Sequence, residues 1–139
     1  MAEGRTLAPG EGRGEALVLS EPLSFWGGVD PSTGRIIDVR HPQLGASVVG
    51  LVLVLPSGRG SSSSSSVLAE CVRAGVGPAA LVLREADPIL ALGAIVAAEL
   101  YGAALPVVVL PDEAYAEIRP GDRVRVHAGE RTARVEADG

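Results

Sequence analysis

The amino-acid sequence predicts an α/β domain, and three of its features carry that prediction. The apolar residues are mostly Val, Leu, Ile and Ala, with only 3% aromatic. Such side chains suit layers of sheet and helix packed from branched and small groups. Nearly continuous Val/Leu runs at 48–55 and 105–110 read as strands buried on both faces. Segments with helical features follow, at 67–73 and from Asp87 to Tyr101, each closed by a glycine. At 139 residues and 47% hydrophobic, the chain has the size of one domain, 1–139. Its apolar content can offset the entropy of ordering the backbone.

In chain order, residues 7–14 read as a Gly/Pro-rich approach and 15–20 as the first strand. Between 21 and 38, Pro22, Gly27, Gly28, Pro31 and Gly34 break any period, although Leu23, Phe25, Trp26 and Val29 are apolar. The sole Phe and the sole Trp are neighbours there. Either the two rings plug the end of the core, or the loop covers a ligand or partner, with Gly27-Gly28 permitting close backbone approach. Residues 35–38 form a short strand candidate, and Arg40-His41-Pro42 starts a turn. The central strand, 48–55, stops at Pro56. The helix at 67–73 has apolar positions 67, 68, 71 and 72, and an early serine can cap it. Residues 79–83 are the next strand. Asp87-Pro88 then opens a helix with a capping Asp and a first-turn Pro, ending at Gly102. Its Leu90, Ala94, Ala97 and Ala98 suit close packing on a sheet. After the 105–110 strand, 112–121 reads as a short turn or helix with a Pro-Gly-Asp corner. Residues 124–126 and 133–135 alternate like a half-exposed hairpin around Gly129.

Several function classes are disfavoured. Twelve basic against 17 acidic residues give a net charge of −5, and no basic patch is interleaved with aromatics, so nucleic-acid binding lacks electrostatic support. A single cysteine forms no internal disulfide and cannot by itself hold an iron-sulfur cluster. Cys71 falls on the apolar side of a helix and reads as a buried structural thiol. The longest apolar stretch, 88–110, is interrupted by Glu99, Tyr101, Gly102 and Pro106, which fits a helix and a strand better than a membrane span. Residues 1–14 carry charges and no apolar core, unlike a signal peptide. The expected location is the cytoplasm.

The serine tract is the most informative segment. Six consecutive serines suggest a flexible linker, but a buried strand precedes them and an amphipathic helix follows, with glycines on both sides of Arg59. Strand, glycine-rich loop and helix together point backbone N–H groups at an anion. Arg59 adds a fork of donors suited to a carboxylate or phosphate. The loop lacks the lysine and spacing of a P-loop. His41 and His127 lie far from it in sequence, so no serine-hydrolase set is evident. The residues alone therefore leave an anion-recognising loop and a linker or cap both open.

The run Glu21-Pro-Leu-Ser-Phe-Trp-Gly-Gly-Val-Asp-Pro31, then Ile37-Asp38, Arg40-His41-Pro42 and Gly58-Arg-Gly-Ser-Ser-Ser63, resembles the small component of the aconitase X family. The stretch Asp87-Pro-Ile-Leu-Ala-Leu-Gly-Ala-Ile-Val-Ala97 extends the resemblance, which spans about residues 5–112. It implies a swivelling β/β/α domain like the mobile fourth domain of aconitase. It also implies a dehydratase whose iron-sulfur cluster is held by a large subunit, none being bound by this chain alone. The family acts on cis-3-hydroxy-L-proline or on mevalonate 5-phosphate. Its catalytic serine follows a glycine-basic-glycine step, which here selects Ser61, with Arg59, Gly60 and Ser62 as substrate-anion or loop-supporting residues. Phe25, Trp26, Gly27, Gly28 and His41 are candidates for a site or interface loop, and no metal ligand is expected.

Resemblance and chemistry meet at one point. Dehydration next to a carboxylate requires a proton to leave one carbon as a hydroxyl leaves the next. A serine oxygen stabilised by a helix N-terminus and a cation can take that proton, while partner-held iron acts on the hydroxyl. The Ala-, Leu- and Arg-rich composition favours the hydroxyproline substrate. The reading from a different class is a non-catalytic module that recognises an anion or partner through its Phe25-Trp26 loop.

Overall fold

The computed structural model describes residues 2–138. In chain order these form β1 (Ala2–Ala8), β2 (Gly10–Val18), the single turn α1 (Phe25–Gly28), β3 (Val52–Leu55), α2 (Ser63–Arg73) and β4 (Ala80–Leu83). Then come α3 (Pro88–Tyr101), β5 (Val107–Val109), α4 (Asp112–Glu117), β6 (Arg123–Ala128) and β7 (Thr132–Ala137).

Strands β3, β4 and β5 are parallel neighbours, with α2 and α3 as the connections between them. Strand β2 runs parallel to β3 and antiparallel to β6, while β1 pairs antiparallel with both β5 and β7. The hairpin β6–β7 completes the order β1-β5-β4-β3-β2-β6-β7, which closes on itself. Closure gives each strand a hydrogen-bonded neighbour on both sides.

Alternation along the parallel strands sorts two cores. Leu53, Leu55, Leu81, Leu83 and Val107 face outward onto Leu68 and Cys71 of α2, Leu90 and Ala94 of α3, and Phe25. Val52, Val54, Ala80, Val82 and Val108 face inward, where they meet Val124, Val126, Ala133 and Val135 of the hairpin. Bulky leucines thus fill the wide layer under the helices, and smaller valines and alanines fill the narrow interior of the ring. Of the α3 residues expected to pack, Leu90, Ala94 and Ala97 are buried, whereas Ala98 is exposed.

The structure corrects the sequence reading in three places. Residues 7–14 are not an approach but parts of β1 and β2, the latter running unbroken through Gly10, Gly12 and Gly14. These glycines serve close packing: a methyl group on Gly12 would lie 2.0 Å from the Ala79 carbonyl oxygen, and one on Gly14 would lie 2.5 Å from that of Gly50. Residues 35–38 form no strand, only the isolated bridges Val29–Ile36 and Arg35–Ser47. The central strand begins at Val52, because 48–51 is a turn in which the N–H of Leu51 bonds the Val48 carbonyl at 3.1 Å.

Candidate active site

The carboxyl ends of β3 and β4 are stitched together at Pro56, whose carbonyl accepts the N–H groups of Arg84 at 3.2 Å and Glu85 at 3.0 Å. From Pro56 the chain passes Ser57 and Gly58, where a bridge to Leu23 steadies it. It then turns at Gly60, whose φ of 92° lies in the left-handed region that favours glycine. Ser61 follows immediately, and α2 starts at Ser63. Beside this loop is a cleft of about 310 Å³, with Ser57, Gly58, Arg59, Gly60 and Ser64 on one wall. The β4–α3 connection, including Glu85 and Asp87, makes the other. Ligands of open parallel sheets gather at strand carboxyl ends for the same reason: loops and helix N-termini converge there.

The six serines occupy distinct environments. Ser61 is exposed, and its Oγ accepts the N–H of Ser63 at 3.0 Å. Ser62 is the N-cap residue by position, yet its own side chain makes no capping bond. Thus the hydroxyl that meets the first turn of α2 belongs to Ser61. Ser65 Oγ donates to the Ser62 carbonyl at 2.8 Å. Ser64 is 2% exposed, and its Oγ accepts the Trp26 N–H at 3.1 Å. Ser24 Oγ donates to the Trp26 carbonyl at 2.9 Å, so in the 3.3 Å contact between the two hydroxyls Ser64 is the donor. Ser64 thereby clasps the Trp26 loop to α2.

Arg59 is half exposed, with Nη2 3.9 Å from Oδ2 of Asp38. A pair this open and this long is worth about 0–1 kcal/mol, so Asp38 orients the guanidinium without consuming it. The two neighbouring rings separate: Phe25 is fully buried in the core while Trp26 is 59% exposed. Gly27 turns the chain at φ 76°, and Gly28 is buried, its carbonyl accepting the Ile37 N–H at 2.8 Å. His41 is buried away from the cleft. Its Nδ1 accepts the Gln43 N–H at 3.0 Å, which leaves Nε2 to donate to the Glu21 carbonyl at 3.3 Å. Both ring nitrogens are therefore engaged in holding the turn.

Cys71 lies in the core, where burial, with smaller contributions from Glu70 and Asp30, pushes its thiol up to about 11. Among the described residues, no group of three or more His, Cys, Asp or Glu side chains is placed to hold a metal ion. These residues do not fit an iron-sulfur cluster. No helix is long and apolar enough to cross a membrane. Three residues of the site escaped the sequence reading as individuals: Ser64, Asp38 and Glu85. Ser64 left a periodic signal, since 64, 68 and 71 share the buried face of α2, and Asp38 appeared only as part of the Ile37-Asp38 motif.

The mixed sheet bearing a serine loop at the ends of its parallel strands has the fold of a swivelling domain of the aconitase X type. The aconitase X of Thermococcus kodakaraensis, solved in its holo-form, has the same fold with a TM-score of 0.83 and 34% identity, over 96% of this chain and 95% of that one. The family model described as the aconitase X swivel domain matches residues 1–135, and the chain belongs to that family. The cis-3-hydroxy-L-proline dehydratase of Pseudomonas aeruginosa is 53% identical over 106 residues, 76% of this chain but 18% of that protein. That of Hypocrea jecorina is 41% identical over 91% of this chain, again only 21% of the relative. The chain thus spans about a fifth of those relatives. The phosphomevalonate dehydratase small subunit of Methanothermobacter thermautotrophicus is 46% identical over 109 residues, 78% of this chain and 79% of the relative.

Proposed function

We propose that this chain is the small subunit of an aconitase X-type hydro-lyase, completing its active site against a large subunit and contributing Ser61 as the base. One observation carries the assignment of Ser61. Its oxygen already accepts the Ser63 N–H at the start of α2, while among the described residues its hydroxyl donates no bond. That N–H and the N-terminal end of an eleven-residue helix favour negative charge on the oxygen. Deprotonated, Ser61 takes a proton from the carbon next to the one that loses hydroxide. Arg59 holds a substrate anion, and the Ser64 clasp keeps the loop in register. An iron-sulfur cluster held by the large subunit would supply Lewis-acid chemistry at the departing hydroxyl when bound.

The substrate in this reading is cis-3-hydroxy-L-proline, supported by the composition and by the name of the Pseudomonas aeruginosa relative. Mevalonate 5-phosphate is the second reading. It is supported by the names of the small subunits that the chain matches over most of their length.

The test is reconstitution. The isolated chain folds and is inactive, and addition of the large subunit gives turnover of one of the two substrates. Ser61→Ala leaves assembly and cluster content intact and lowers turnover by about 10²–10⁴-fold, the scale of a positioned acid–base group. Unchanged turnover and substrate-proton exchange in Ser61→Ala would remove this serine from the chemistry. Stable assembly without turnover of either substrate would favour a binding module.

A further inference from the structure

The cleft beside the serine loop is lined by one cation, Arg59, and by two acids, Glu85 and Asp87. The two acids are not equivalent. Asp87 caps α3, its Oδ1 accepting the N–H groups of Ile89 at 2.9 Å and Leu90 at 3.1 Å, so its charge is committed to the helix terminus. Glu85 makes no side-chain hydrogen bond or ion pair among the described residues and is exposed at the cleft. Its main chain is nonetheless fixed, through the 3.0 Å bond to the Pro56 carbonyl at the root of the serine loop. An uncommitted carboxylate thus lines the same cleft as an arginine that Asp38 shares only loosely, at 3.9 Å.

The two substrates under consideration differ in the sign of the charge away from their carboxylate. A 3-hydroxyproline carries a protonated ring nitrogen; mevalonate 5-phosphate carries a phosphate. A free acid in the same cleft as the arginine attracts the first and repels the second. We infer that Glu85 binds the ring ammonium of a zwitterionic, amino-acid-type substrate whose carboxylate Arg59 takes, and so determines specificity. This inference rests on the hydro-lyase reading above and adds to it the group that selects the substrate.

The experiment uses the reconstituted complex and two inhibitors, L-proline and cyclopentanecarboxylate, the latter having the same ring without the nitrogen. Wild type is expected to bind L-proline more tightly. Glu85→Gln should weaken L-proline by about tenfold and leave cyclopentanecarboxylate within about twofold, the difference being one charge-assisted hydrogen bond. The KM for cis-3-hydroxy-L-proline should rise in parallel, with kcat changed less, and Glu85→Asp should restore part of the preference. Equal shifts for both inhibitors, or none for L-proline, overturn the role of Glu85 while hydroxyproline turnover stands. A wild-type complex that dehydrates mevalonate 5-phosphate and not hydroxyproline overturns the substrate reading, and this inference with it.

Discussion

Ser61 and Arg59 are adjacent to one glycine and do different work. The serine oxygen is placed by a backbone N–H; the guanidinium is placed by a loose contact with Asp38. Lysine keeps the charge of arginine but not the planar fork that grips a carboxylate at two points. Arg59→Lys should therefore lower kcat/KM of the reconstituted enzyme by about tenfold. A value within about twofold of wild type would refute a bidentate role. Cys71 gives a second residue-scale expectation. Its folded pKa is raised from 9.0 to about 11 by burial. The stability it contributes is fully present below pH 9, where the unfolded thiol is also neutral, and is lost as pH rises through about 11. Denaturant midpoints measured across that window should fall for wild type and fall less for Cys71→Val, and alkylation of Cys71 should require unfolding.

At the scale of elements, the serine tract shows how identical residues acquire separate duties. Four of the six serines, 63–66, belong to α2 itself, and the turn at Gly60 with the clasp at Ser64 fixes the rotation of that helix. Ser64→Ala leaves the part-buried Trp26 N–H without its partner and should cost about 1 kcal/mol, visible as a lower Tm of the isolated chain. Ser66→Ala, on the exposed face, should stay within about 0.5 kcal/mol of wild type. Equal melts for the two would mean that the clasp carries no stability. The sequence marked α3 at both ends, because the Asp-Pro start and the Gly102 stop are local chemistry. It also marked β3 to β5, because a strand buried on both faces leaves an unbroken apolar run. Strand β1 and the start of β2 were not legible. Their glycines answer to carbonyls of Val109, Ala79 and Gly50, which are distant in the chain, and composition alone gives glycine the look of a loop. The family pattern singled out Ser61, which the structure places exposed just before α2. Glu85 was not singled out, since it reaches the cleft beside Arg59 only through the pairing of β3 with β4.

For the molecule as a whole, the layering of small and large side chains leaves a closed sheet with its site on one rim. There the exposed Trp26, Ile37 and Val39 lie close in sequence to Gly28 and Asp38, which tie that segment to the loop. Because Ser64 holds the Trp26 backbone, the indole is an optical reporter built into that rim. It is the chain's only tryptophan, and at 59% exposure its emission in the free chain should be that of a hydrated ring. If the large subunit covers the rim, titrating it in as a tryptophan-free variant should shift the emission to the blue, with a midpoint that gives the affinity directly. Trp26→Phe would abolish the signal and leave folding intact. An emission maximum that stays fixed while the two chains co-elute would place the contact elsewhere on the surface. The same signal, followed after substrate is added to the assembled complex, would report any change at that rim from the side of the small chain.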